Sequence, residues 1–143
     1  MAHNVSDRNR RTRDLEFNRA EILRAENVVR LEVRAAADVV AIWESRLAAA
    51  AELFFSPTIG AALAADKPVL GFYCPGCHVA GETDLRRFDR HPETLIANLV
   101  PAISCRRCSP YPPFARLIGL RRLNEDERRY WGYADGTPYR IPR

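Results

Sequence analysis

The 143-residue chain is long enough for one ordinary domain, or for one small domain with an extension. Its apolar content of 47% excludes a chain disordered throughout, and no apolar run approaches the ~18 residues needed to span a bilayer. The formal net charge of +4 is unevenly spread: residues 35–104 carry more acids than bases, whereas residues 105–143 carry nine Arg against four acids. Basic charge beside a folded core is compatible with phosphate binding. Of the 22 basic residues only Lys67 is not Arg, and with abundant Ala this suggests a GC-rich bacterial genome, which raises Arg without any functional demand. Met1-Ala2-His3-Asn4-Val5-Ser6-Asp7 lacks the apolar core of a secretion signal, so the expectation is a cytoplasmic protein with reduced thiols.

Residues 1–65 read as a helical arm. The first six are expected to be disordered. From Asp7 to Phe55 there is neither Pro nor Gly, and helix formers dominate. Val29, Val33, Ala36, Val40, Trp43, Leu47, Ala50 and Phe54 recur in alternating steps of four and three, a heptad seam. Leu15 and Ile22 continue half of it upstream, where the other half is Arg19 and Glu26. A second stripe, Val28, Leu31, Ala35, Val39 and Ile42, widens the apolar face. A helix of roughly 45 residues would be about 65–70 Å long, too long to lie along a small domain. Its face therefore predicts a partner: a second copy in a coiled-coil homodimer, another protein, or its own downstream segment folded back. Trp43 and the end from Leu47 to Phe54 read as core. Ser56 as N-cap and Pro57 in the first turn predict a short helix over 57–65.

Residues 66–123 hold all four cysteines, as Cys74-Pro75-Gly76-Cys77 and Cys105-Arg106-Arg107-Cys108, with 27 residues between the pairs. Two C-x-x-C pairs at this separation read as a tetrahedral four-thiolate zinc site, one ion per chain. Two intervening residues let both sulfurs of a pair turn to one ion, and Pro75-Gly76 suits the tight turn, Gly tolerating positive φ. Four thiolates leave no open coordination position, so the expected role is structural. Val69 to Tyr73 has strand composition, His78 to Glu82 reads as the hairpin's return, and Thr83 to Phe88 extends it. Glu93 to Val100 predicts a helix stopped by Pro101, and Phe114 to Leu123 the closing strand. The fold class is α+β: a long N-terminal helix, then a small zinc-ribbon-like β domain with an inserted short helix. Residues 124–143 read as a C-terminal tail, with a short helix from Asn124, its N-cap, to Tyr130 and docking through Trp131 and Tyr133.

Other chemistries fit parts of the pattern. Cys74 to His78 matches the c-type haem attachment motif, which requires export. Cys74 and Cys77 could form a redox dithiol, and four thiolates could hold an iron–sulfur cluster. His78 and His91 could serve as ligands or bases. Asp84, Asp89 and Glu93 show no paired-carboxylate arrangement, and there is no phosphate-binding glycine loop or nucleophile elbow, so no enzyme is expected.

Cys74-Pro75-Gly76-Cys77, Asp84-Leu85-Arg86, Asp89-Arg90-His91-Pro92, Pro101 to Cys108 and Pro113-Phe114-Ala115, with Ile42-Trp43-Glu44-Ser45-Arg46 and Pro57-Thr58-Ile59, resemble a group of small bacterial zinc-ribbon-like proteins with two C-x-x-C pairs. The resemblance covers roughly residues 41–123. It implies a metal site at Cys74, Cys77, Cys105 and Cys108, and no activity. Two functions are expected in order: a structural zinc domain with a protein-interaction role, and a nucleic-acid-binding module using Arg106, Arg107, Arg116, Arg121 and Arg122 on phosphates, with Tyr111 or Phe114 stacking on a base. A thiol redox protein is the lesser alternative.

Overall fold

The computed structural model describes residues 3–130; the expected docking of Trp131 and Tyr133 lies outside them. Helix α1 spans His3–Ala48 and α2 Ile59–Ala64; strands β1, β2 and β3 span Val69–Tyr73, Ala80–Asp84 and Arg116–Arg121; α3 spans Glu125–Tyr130. Two 3-10 segments, Leu85–Arg87 and Ile96–Ala102, lie between β2 and β3. The chain divides into two compact units between Arg34 and Ala35. Among the described residues the first is helix alone and the second is α+β. No helix among the described residues is long and apolar enough to cross a membrane.

Helix α1 begins before Asp7 and closes at Ala48, seven residues short of the expected end. The closure is a Schellman motif. Ala51 N–H donates to Arg46 O (3.0 Å), Ala50 N–H donates to Leu47 O (3.1 Å), and Ala50 takes a left-handed φ of 49°. That position normally asks for Gly. An Ala within the run Ala48 to Ala51 carries no stop signal, so composition pointed onward. The turned chain is held by Arg46, whose Nε donates to Glu52 O (2.8 Å) and whose guanidinium covers the Phe54 ring at 4.7 Å. Phe54 is thus exposed and not core.

The second unit's core gathers Val40 and Trp43 of α1, Ile59 and Ala62 of α2, Leu70 and Leu120 of the sheet, and Leu85, Ile96, Leu99 and Ile103 between them. Trp43 is the largest fully buried side chain. Leu47 packs against the same cluster, half-buried. Glu44, next to Trp43, fastens the helix to its surroundings: Leu120 N–H donates to its Oε1 (3.1 Å) and Lys67 Nζ to its Oε2 (2.6 Å).

The sheet is antiparallel, in the order β2-β1-β3. β1 pairs Val69 with Asp84 and Tyr73 with Ala80 on one side, and Val69 with Arg121 and Tyr73 with Arg116 on the other. Gly71 opposes Gly119 while Phe72 opposes Leu117, so Ile118 is an extra residue in β3. This is a bulge, with Gly119 at a φ of 155°.

Two expected helices differ. Thr58, not Ser56, caps α2, its Oγ1 accepting from Ala61 N–H (3.0 Å). Ser56 Oγ instead accepts from Ala97 N–H (3.0 Å), at the start of the distant 3-10 segment. The helix expected over 93–100 is a 3-10 helix at Ile96–Ala102 that includes Pro101. Residues 57–60 pair with 92–96: Ile96 N–H donates to Pro57 O, Ile59 N–H to Thr94 O and Gly60 N–H to Pro92 O, all within 2.9 Å. This backbone pairing fixes Leu95 extended and leaves 91–94 as a turn closed by Thr94 N–H to His91 O (2.9 Å), so tertiary context overrides the local helical pattern. A Cβ on Gly60 would lie 3.2 Å from Pro92 O, so the close approach favours Gly there.

Candidate metal centre

The first cysteine pair lies in the β1–β2 hairpin. Cys74 follows β1 directly, its N–H donating to Val79 O (3.0 Å) while its carbonyl accepts from His78 N–H (2.8 Å). The left-handed residue of this turn is His78, at a φ of 61°, and not Gly76 as the sequence suggested. Gly76 answers a different demand. A Cβ there would lie 3.2 Å from Cys108 Sγ and 3.2 Å from Pro113 Cγ, so a side chain would be crowded where the two cysteine turns meet. The second pair lies in the turns that precede β3.

The four sulfurs lie within 4.8 Å of one another, and they are the one such group of His, Cys, Asp or Glu among the described residues. Cys74 Sγ is 3.7 Å from Cys108 Sγ, and Cys77 Sγ is 3.5 Å from Cys105 Sγ. Each close pair takes one sulfur from each turn. Tetrahedral thiolates about 2.3 Å from an ion would stand roughly 3.8 Å apart, so the cluster has the size of a four-thiolate metal site. The separations exceed by far the ~2.05 Å of a disulfide, and all four cysteines are free. Cys74 is buried and the other three partly so.

The electrostatics favour a thiolate at the inner position. The backbone N–H of Cys77 lowers the Cys74 thiol most, helped by that of Gly76 against the opposing effect of burial, to about 7. Cys108, hydrogen-bonded to Cys74, is pushed up to about 12, since it keeps the proton that the pair shares. Without a cation, four sulfurs this close cannot all ionise. A divalent cation would supply the missing charge and displace those protons.

Neither His78 nor His91 joins the group. His78 is exposed, and His91 Nδ1 accepts from Glu93 N–H (3.1 Å), a local turn contact. Cys77 leads into β2 and not into a helix, so the helix N-terminus that activates a thioredoxin-like dithiol is not supplied there.

Of the five arginines singled out by sequence, Arg106, Arg107, Arg116 and Arg122 are exposed. Arg121 is engaged. Its Nε and Nη2 donate to Glu82 across the sheet (2.8 and 2.6 Å), and its Nη1 and Nη2 to Glu127 of α3 (2.8 and 2.7 Å). Arg122 stands 3.9 Å from Asp66. Tyr111 and Phe114, the expected stacking residues, are 91% and 73% exposed.

One polar pair escaped the sequence reading. Asp84 and Arg86 are both buried and joined two residues apart: Arg86 Nε and Nη2 donate to the carboxylate, and Asp84 Oδ1 also accepts Arg86 N–H (3.0 Å), starting the 3-10 turn. The D-L-R spacing was visible, but nothing in it announced burial. No family model, curated protein or solved structure matches this chain.

Proposed function

We propose that this is a structural zinc protein: Cys74, Cys77, Cys105 and Cys108 hold one zinc ion per chain, and the exposed face of α1 meets a protein partner. The observation that carries the reading is the convergence of four free thiols from two separate turns to within 4.8 Å. Zinc suits an all-thiolate tetrahedral set with no open position. Its role is to staple a unit whose core is small for its chain, as metals do in small domains. The resemblance to small bacterial zinc-ribbon-like proteins points the same way, and free thiols fit a reducing compartment such as the cytoplasm. Native mass spectrometry on the wild type and on a Cys105→Ser/Cys108→Ser variant tests it. The expected result is one zinc per wild-type chain and none in the variant. An iron–sulfur cluster in the wild type, or no metal with ready oxidation of Cys74 and Cys77, would contradict it.

A second reading rests on Arg106, Arg107 and Arg116, exposed alongside the exposed rings of Tyr111 and Phe114. Such a surface supports single-stranded nucleic-acid binding through phosphate contacts and base stacking. It predicts binding that weakens steeply with salt and on Tyr111→Ala. Binding that is absent, or indifferent to salt, would remove it.

A further inference from the structure

The heptad seam of α1 is satisfied at one end and open at the other. Val40 and Trp43 are each 1% exposed, and Leu47 lies against the core. Leu15, Ile22, Val29 and Val33, on the same seam, are exposed, as is Leu23 beside it. In heptad terms Leu15, Ile22 and Val29 occupy d positions, and Arg19, Glu26 and Val33 occupy a positions. The charges at a decide which occupant fits. A parallel, in-register partner of the same sequence would set Arg19 on Arg19 and Glu26 on Glu26, like charge on like charge at both.

Reversing the partner removes both clashes. In an antiparallel pair a faces d, so Leu15 packs on the partner's Val33, Arg19 on the partner's Val29, and Ile22 on the partner's Glu26. Arg19 then lies one layer from the partner's Glu26, with opposite charge. The flanks agree. Glu16 faces the partner's Arg30, Asn18 the partner's Glu32, and Leu23 and Ala25 meet their own copies at the two-fold axis. Each contact occurs twice, as an isologous interface requires. We propose that the open seam of α1, residues 15–33, pairs antiparallel with a second copy of this chain, held in register by Arg19 and the partner's Glu26. The inference rests on reading the exposed face of α1 as an interaction surface and names its occupant.

Sedimentation equilibrium of the full, zinc-loaded chain tests it, using wild type, Arg19→Glu, Glu26→Arg, the double swap, and a one-to-one mixture of the two single variants. Both side chains are exposed, so folding is not at stake. Each single swap is expected to weaken the dimer about tenfold or more, because like charges then face each other twice. The double swap should return to within about threefold of wild type, and the mixture should dimerise as wild type does, since opposite charges are restored. A dimer indifferent to all the swaps overturns the antiparallel register and leaves an interaction role for the arm standing. A wild-type chain that remains monomeric at about 50 μM overturns self-pairing. Neither result touches the zinc reading, which stands on metal content.

Discussion

One helix, α1, carries the same heptad pattern into two different situations. Over Ala35 to Ala48 the seam is met from within the chain: Val40 and Trp43 close on α2, β1 and the 3-10 segments, and Glu44 fixes the helix to Leu120 and Lys67. Over residues 3–34 the same spacing stays exposed at Leu15, Ile22 and Val29. Periodicity therefore reports that a helical face needs covering. It does not report what covers it. The deciding information is the chemistry at the alternate positions: Val40 and Leu47 complete an apolar face downstream, whereas Arg19 and Glu26 interrupt it upstream. The first arrangement suits a dry core; the second suits an interface with a charged register mark.

Truncation at matched seam positions should separate the two regions most sharply. Trp43→Ala empties the centre of the second unit and is expected to cost about 3–5 kcal/mol of unfolding free energy, read by denaturant titration of the zinc-loaded protein. Ile22→Ala, at the same heptad position in the first unit, should leave that transition unchanged within about 0.5 kcal/mol. Equal effects at both positions would erase the distinction.

A smaller effect is expected where the two cysteine turns meet. Gly76→Ala places a Cβ 3.2 Å from Cys108 Sγ and from Pro113. If the proposed zinc fixes that sulfur in a tetrahedral set, the sulfur cannot readily give way, so zinc affinity should fall by about tenfold in a competition assay with a chromophoric chelator. An affinity equal to wild type would show that the turns have slack.

The smallest effect concerns the outer side of the sheet. Arg121 holds Glu127 far below its ordinary 4.5, at about 2, and lowers Glu82 as well. A carboxylate whose folded value is depressed stabilises the fold above its unfolded value and loses that contribution as pH falls through the folded one. The attachment of α3 to β3 should therefore be intact above about pH 4.5 and weaken progressively toward about pH 2. Glu127→Gln should flatten the dependence in this window. An unchanged acid transition in that variant would assign it elsewhere, for instance to protonation of the metal-binding thiolates.

Much of the second unit was legible in the sequence, because local chemistry and tertiary structure agree there. β1 occupies Val69 to Tyr73 as its composition indicated, and the two C-x-x-C pairs converge. Asn124 caps α3 as expected: its Oδ1 accepts from Glu127 N–H (2.8 Å), and Glu127 returns the contact to Asn124 N–H (2.9 Å). The misses share a cause. The stop at Ala50 uses a left-handed alanine, the chain before Ile96 is kept out of a helix by its pairing with residues 57–60, and Ser56 caps an element some forty residues away. Each is set by a contact distant in sequence or by a backbone conformation that composition does not mark. The same holds for Arg121. It looked like a phosphate ligand because charge is visible in sequence, whereas its partners Glu82 and Glu127 become neighbours only once the sheet forms.

A metal on the four thiolates, as proposed, would staple the second unit. Hydrogen exchange read by mass spectrometry, on the zinc-loaded protein before and after complete chelation under reducing conditions, tests it most directly. Protection in β1, β2 and β3 is expected to be lost together on metal removal, while the amides of residues 10–33 exchange as before. Strands that keep their protection without metal would contradict it, and would mean that the core around Trp43 holds the sheet unaided.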